Sequence, residues 1–279
     1  MSKLFFAYLA RLKKNGAFWC FLVFMAGFGV LAPVIARYEM MKYGVSYSSE
    51  SRFAWHVMLT GVITALFTAW FLGTEYSDGT IRNKLVAGHL RRNIYLASLG
   101  SCVFANLVIL TVHMLIIGVF GHFLIAPFRM KAGDIALFYL LSLLVGIAFT
   151  SVYTMFVMQN QNKSASVVIC ALACLTMFVA AFYIYSLLEA PEMISKGDVY
   201  VYMSSGSSVP MEMMPNPKYL SGVWRTVYEW LEDILPYGQA VSLAEWKLDN
   251  SLRMISCSLG VTAGTTLVGL YRFGRKDLK

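Results

Sequence analysis

The groups with which this chain could do chemistry are few and scattered: 4 histidines, 5 cysteines and 15 acids among 279 residues. Neither H-E-x-x-H nor G-x-S-x-G occurs, and the phosphate-cradling G-x-x-x-x-G-K-[ST] is absent. Catalytic residues, metal ligands and a cofactor bound by this chain are therefore not expected, and the chain is not read as an enzyme. Cys170 and Cys174 stand one helical turn apart, but no histidine or carboxylate accompanies them, so they read as packing residues. His113 suits an interhelical hydrogen bond better than a proton relay, while His56 and His122 fall near the ends of apolar runs. Thr60, Thr64 and Thr68 recur every four residues. Their hydroxyls either line a polar path for substrate or bond back to carbonyls one turn earlier.

The most polar run of the first half is "GTEYSDGTIRNKLVAGHLRRNIYL", Gly73 to Leu96. Ser77 or Asp78 can cap a helix N-terminus, Gly79 to Ala87 can form about two turns, and Gly88 is a fitting stop. Ile81 and Leu85 share a face, flanked by Arg82 and Lys84. The segment reads as a short plug with an apolar tip and a solvated basic collar. Such a plug fits the groove of a soluble partner, or else lies on a membrane with no partner at all.

Long apolar runs must position these residues. The chain is 58% hydrophobic and 14% charged, with a mean hydropathy of +0.62, too little polar surface for a soluble globule. Runs over about 17–36, 54–73, 135–158, 164–188 and 254–271 reach the ~18–20 residues that cross a bilayer as helix. A sixth, 95–125, is longer than a span requires and is expected to tilt or to break near Gly118 or Gly121. The fold class is thus an all-α integral membrane protein of six spans in one domain, 1–279. The first run is too long for a signal-peptide core and is expected to stay uncleaved. None of the six runs contains Asp, Glu, Lys or Arg, which argues against a proton- or ion-coupled carrier. All five cysteines fall within the runs, so no disulfide framework is implied.

Orientation follows from Lys and Arg. With both termini cytoplasmic, the inside holds Lys3, Arg11, Lys13, Lys14, Arg82, Lys84, Arg91, Arg92, Lys163, Arg272, Arg275, Lys276 and Lys279, against only Glu75, Asp78 and Asp277. The net charge of +8 reads as this asymmetry and needs no nucleic-acid partner. Residues 3–15 place Phe5, Tyr8, Leu9 and Leu12 on one stripe, the pattern of an interfacial helix with its apolar face in the acyl chains. Loops 37–53 and 126–134 are expected outside. So is 189–253, which opens with Gly, Ser and Pro in "KGDVYVYMSSGSSVPMEMMPNP". It then sets Leu220, Val223, Trp224, Val227, Leu231 and Ile234 opposite Arg225, Glu229, Glu232 and Asp233 in an amphipathic helix that Pro236 and Gly238 should stop. Small residues recur at Gly61, Ala65, Ala69 and Gly73, and at Ser256, Gly260 and Gly264. Such faces serve close helix packing within the chain or across a dimer.

The pattern "EYSDGTIRNKLVAG", 75–88, resembles the E-x-x-x-G-T-x-R-x-x-L segment between helices 2 and 3 of ABC-2 type permeases, the membrane subunits of bacterial ABC exporters. Six spans, the large last external loop with "LPYGQ" and the closing "GLYRFGRKDLK" extend the resemblance over nearly the full chain. It implies a coupling helix carried by Glu75, Gly79, Thr80, Arg82 and Leu85. That helix would seat in a cleft of a separate cytoplasmic ATPase, which binds the ATP and Mg. Two such ATPases would work with two permease chains, alike or paralogous, in the bacterial cell membrane. Ile81 and Leu85 would fill the cleft, Arg82 would orient the plug, Lys84 would stay solvated, and Glu75 would hold the near end to Arg11 or Arg91. Within the family the chain is most similar to small permeases of antimicrobial-peptide export and immunity, including lantibiotic, bacitracin and phenol-soluble-modulin transporters. The implied substrate is an amphipathic peptide or hydrophobic antimicrobial compound. The competing expectation is a non-transport sensor or assembly subunit that uses the plug to hold a cytoplasmic protein.

Overall fold

The computed structural model describes residues 2–195 and 213–276. The Gly/Ser/Pro stretch of the long loop (196–212) and the terminal Asp277 and Lys279, counted above for orientation, lie outside the described residues. In chain order the elements are α1 (Ser2–Lys14), α2 (Gly16–Tyr43), α3 (Ser49–Ala54), α4 (His56–Ser77), α5 (Thr80–Val86), α6 (Arg91–Leu124), α7 (Ala132–Gln159) and α8 (Lys163–Leu188), then β1 (Met193–Ser195), β2 (Met213–Pro215), α9 (Gly222–Ile234), α10 (Pro236–Ala244) and α11 (Ser251–Arg275). The two strands pair antiparallel with Ile194 opposite Met214. Six stretches are long and apolar enough to cross a membrane, α3 and α4 counting together as Ser49–Ser77. The chain is a multi-pass, all-α membrane protein.

Helix ends fall where a backbone group finds a substitute partner. Asn15 caps α2 by accepting from the Phe18 amide at 3.1 Å, and Asn162 caps α8 by accepting from Ser164 and Ala165. Past residue 36 the chain was expected to become a loop, yet α2 continues to Tyr43 because nothing before Gly44 breaks it. Gly44 ends it with φ +67°, a conformation that suits glycine. The long third span does not break either: α6 is one helix of 34 residues. Gly118 and Gly121 face α3, where an added Cβ would make only ordinary contact with the Phe53 ring at 3.6 Å and with Ser49 at 3.8 Å.

The apolar part of the Ser49–Ser77 stretch is 67% buried inside the protein and that of α7 56%, against 22% for each of α2, α8 and α11. α4 and α7 therefore form the centre, and the other three leave a flank to lipid. At the α2–α6 crossing, Gly29 admits the His113 backbone and ring, and His113 Nδ1 donates to the Met25 carbonyl at 2.7 Å. That is the interhelical bond expected of it. Gly146 receives Leu110, and Gly269 receives the Tyr95 ring.

The largest departure lies in the long loop. α9 forms where expected, but Pro236 does not end the order. It stands in the first turn of a further helix, α10, of which residues 236–243 are all buried, packed against α8, α4 and α7. Proline suits a helix start because its missing N–H would have had no partner there. Gly238 makes the reversal possible, since a Cβ there would overlap the Glu232 carbonyl. The Gln239 side-chain amide then donates to the carbonyls of Asp233 and Met254 and accepts from Ser258 at 2.7 Å, which ties the turn to α11. Just past the end of α10, Trp246 is held at φ +56°, with its indole N–H donated to the Glu50 carbonyl at 2.9 Å and its ring stacked 4.4 Å from Phe138.

Candidate functional site: the Glu75 cluster and helix α5

At the last turn of α4, Glu75 is 1% exposed. Its Oε2 accepts the Tyr8 hydroxyl at 2.7 Å, and its Oε1 accepts Lys84 Nζ at 2.6 Å and the Arg11 guanidinium. Because Tyr8 donates its one proton to Glu75, Ser98 donates to the Tyr8 oxygen, at 2.7 Å. Arg11 also reaches the Phe71 carbonyl at 3.2 Å and lies over the Phe71 ring, while Lys84 sits over the Tyr8 ring at 3.8 Å. One carboxylate thus joins α1, α4, α5 and, through Ser98, α6. Burial pushes the Tyr8 hydroxyl pKa well up, and the Glu75 carboxylate adds to that. Burial pulls the Lys84 pKa down, opposed by Glu75.

α5 is mounted on this cluster. Gly79 turns the chain out of α4 at φ +66°, and Thr80 donates its hydroxyl to the Glu75 carbonyl at 3.1 Å. At the far end the Gly88 amide bonds to the Leu85 carbonyl at 2.9 Å and that of His89 to Lys84 at 3.1 Å, with Gly88 at φ +82°. This pairing closes a helix C-terminus and places glycine where the positive φ requires it. A cavity of about 200 Å³ runs beside the plug, lined by Glu75, Tyr76, Ser77, Gly79, Ile81, Arg82 and Gln161.

The sides of the plug differ from expectation. Ile81 is 2% exposed and belongs to the chain's own core, with Leu85 packed partly against it. Lys84 is the inward cation, not a solvated collar. The face that remains open carries Arg82, Asn83, Val86 at 82% exposed and Leu90 at 55%. Glu75 pairs with Arg11 and not with Arg91, which donates to the carbonyls of Phe273 and Lys276 and so fastens α6 to the end of α11. α1 differs as well. Of the expected stripe, Tyr8 and Leu12 are buried and Phe5 and Leu9 half-buried, with Leu4 buried beside them and the helix packed on α6, so this stripe lies on protein and not in acyl chains.

Sequence reasoning missed Tyr8 and Ser98 as parts of the cluster. Their signal is polar atoms one turn apart on apolar helices: Tyr8 three residues before Arg11, and Ser98 three before Ser101. Thr60, Thr64 and Thr68 are each buried, at 1%, 1% and 0% exposed, and Thr60 bonds back to the His56 carbonyl at 3.3 Å. Gly61 receives the Tyr237 ring of α10, and Gly73 the stem of Lys163, with Ala65 and Ala69 buried between them. The second small-residue row is open: Ser256 is exposed, and Gly260 and Gly264 have nothing within 4 Å of an added Cβ. No protein-family model matches this chain, and no curated protein matches it.

Proposed function

We propose that this chain is the membrane subunit of an ATP-driven exporter of the ABC-2 permease type. It would sit in the bacterial cell membrane with both termini cytoplasmic, paired with a second permease chain and with two ATPases that carry the nucleotide and Mg. The observation behind this reading is the mounting of α5. A two-turn helix projects an open face of Arg82 and Val86, with Leu90 exposed just beyond it, while its other face is locked by Ile81 and Lys84 to the body of the bundle. A load applied to that face passes through Lys84 and Thr80 to Glu75, and from Glu75 through Tyr8 and Arg11 to α1 and α6. A surface helix without a partner has no use for a buried three-way brace. Closure of the ATPases against α5 would thus move α1, α4 and α6 together, a rigid-body rocking of packed elements.

The proposed cargo is an amphipathic peptide or hydrophobic antimicrobial compound that enters from the membrane along the lipid-facing helices. The threonine row of α4 would meet it only when α4 parts from its neighbours, since all three residues are closed off here.

The test uses the exposed face. Val86→Asp and Arg82→Ala should leave expression and thermal stability unchanged yet weaken ATPase co-purification. The Arg82 change alone should do so by about tenfold to a hundredfold if its bonds are charge-assisted. Wild-type co-purification and transport in both variants would sink the assignment. ATPase turnover that ignores cargo, with docking intact, would instead favour a sensor or assembly subunit.

A further inference from the structure

The end of the bundle opposite Glu75 carries two adjoining hollows that the transport reading does not use. One is an apolar groove of about 440 Å³ between the last turns of α6 and the first turns of α7, lined by Leu115, Gly118, Val119, Ala132, Ala136 and Tyr139, with Phe53 and Phe128 at its head. It opens sideways, since Leu115 is 63% and Val119 53% exposed. The other is a polar hollow of about 420 Å³ lined by Glu50, Arg129, Glu245 and Trp246 among others. The Phe53 ring at the head of the groove stacks 6.2 Å from the Trp246 ring, which lines the polar hollow, so the two hollows adjoin across that ring pair.

Two of the three charges in the polar hollow, of opposite sign, are uncommitted. Among the described residues, the Arg129 guanidinium and the Glu245 carboxylate make no hydrogen bond or ion pair, and both side chains are exposed. The third charge, Glu50, is occupied, since its carboxylate accepts the Arg129 backbone N–H. The Trp246 ring, clamped on Phe138 and bonded to the Glu50 carbonyl, is a fixed part of the hollow's wall. A net-negative headgroup would meet Glu245, and a purely cationic ligand would meet Arg129. A headgroup with a phosphate and an ammonium satisfies both.

We propose that this composite site binds one phospholipid of the ethanolamine class from the leaflet at the Trp246 end. One acyl chain lies in the α6–α7 groove, the phosphate on Arg129 and the primary ammonium on Glu245. A site of this shape, mostly apolar with a few convergent charges, is the form that amphipathic ligands need. Charge-assisted bonds at both ends of the headgroup give it selectivity. The inference does not depend on transport.

The experiment is native mass spectrometry of the full chain released from nanodiscs that contain equal parts of phosphatidylethanolamine, phosphatidylglycerol and phosphatidylcholine. Wild-type protein should retain the ethanolamine lipid over the other two, because glycerol lacks the cation and the trimethylammonium of choline cannot donate a hydrogen bond. Arg129→Ala should lower retention of that lipid about tenfold. Glu245→Ala, which removes the acceptor, should abolish the preference for ethanolamine over choline, and Ala136→Phe, which fills the groove, should remove the retained lipid. Lys42→Ala, an exposed change elsewhere on the molecule, should alter nothing. Equal retention of the three lipids, preference for the glycerol lipid, or indifference to Arg129→Ala and Ala136→Phe in variants that melt like wild type would each overturn the proposal. A lipid-free dimer seated on this face would overturn it as well.

Discussion

Glu75 is a single acid set against two cations, each less than one-third exposed. Removing it strands both. Glu75→Ala should therefore cost about 3–5 kcal/mol, the range for breaking a buried pair from one side, read as a lower midpoint in thermal unfolding in detergent. Glu75→Gln should lose less, because the amide oxygen still accepts from Tyr8 or Lys84. Lys84→Ala, harmless if the residue were a solvated collar, should instead destabilise by about 1.5–3 kcal/mol, as expected for loss of a hydrogen bond to a charged group. A second residue pair tests the core. Gly61 leaves room for the Tyr237 ring and nothing more, so Gly61→Ala should cost about 1–3 kcal/mol by overpacking. Tyr237→Ala also breaks a contact to Cys174 Sγ at 3.2 Å, yet the double variant should be less destabilised than the sum of the singles, because the clash is gone.

At the scale of elements, α9 and α10 behave as one device. α9 turns Val223, Trp224, Val227, Trp230 and Leu231 outward, each at least 40% exposed, and sets its acidic side against the protein. Asp233, 3% exposed, pairs with Arg253 of α11, whose other contact is Glu229 at 3.7 Å. Burial pushes the Asp233 and Glu232 carboxyls above their usual range, with Arg253 opposing the shift at Asp233. An amphipathic helix placed this way has its apolar side available to membrane and its polar side satisfied by the bundle. Arg253→Ala should then leave a buried carboxylate unpaired and loosen α9, seen as faster proteolysis between α9 and α11. Gly238→Ala should be worse, because its Cβ meets backbone that no rotamer change can move. Excision of 219–235, which looks mild if that segment is only a surface decoration, should expose the buried face of α10 and cost assembly as well as transport.

For the whole molecule, the decisive question is which way the bundle faces. Cysteines placed at Ser46 and Asn83 in a cysteine-free background lie exposed at opposite ends. With both termini cytoplasmic, a membrane-impermeant thiol reagent should label the first in intact cells and the second only after lysis. Labelling of Asn83 in intact cells would reverse the orientation and remove α5 from reach of any cytoplasmic ATPase. Of the five native cysteines only Cys20 is exposed, so its replacement matters most to the background.

The six long helices were legible in the sequence, because a bilayer demands about 20 apolar residues whatever the neighbours are. The stop at Gly88 was legible too, since glycine there takes a positive φ, but the start of α5 was not: neither Ser77 nor Asp78 caps it, and Gly79 itself stands at the cap position at φ +66°. The facing of the short plug was not. Ile81, Lys84 and Leu85 share a pattern that fits docking outward or inward, and the Tyr8 ring over which Lys84 lies on its way to Glu75 is brought there by α1, from far away in the chain. The same holds for "LPYGQAVSLA". Its Pro236 and Gly238 read as a stop for the helix before it, though an apolar run of about ten residues is also how a re-entrant or buried helix is written. Its burial required a hollow between α4, α7 and α8, and that hollow exists because Gly61 gives Tyr237 its place. Periodicity and span length act within one segment, so the chain itself carries them. Which face meets which neighbour depends on contacts between distant segments, and the tertiary structure alone decided it.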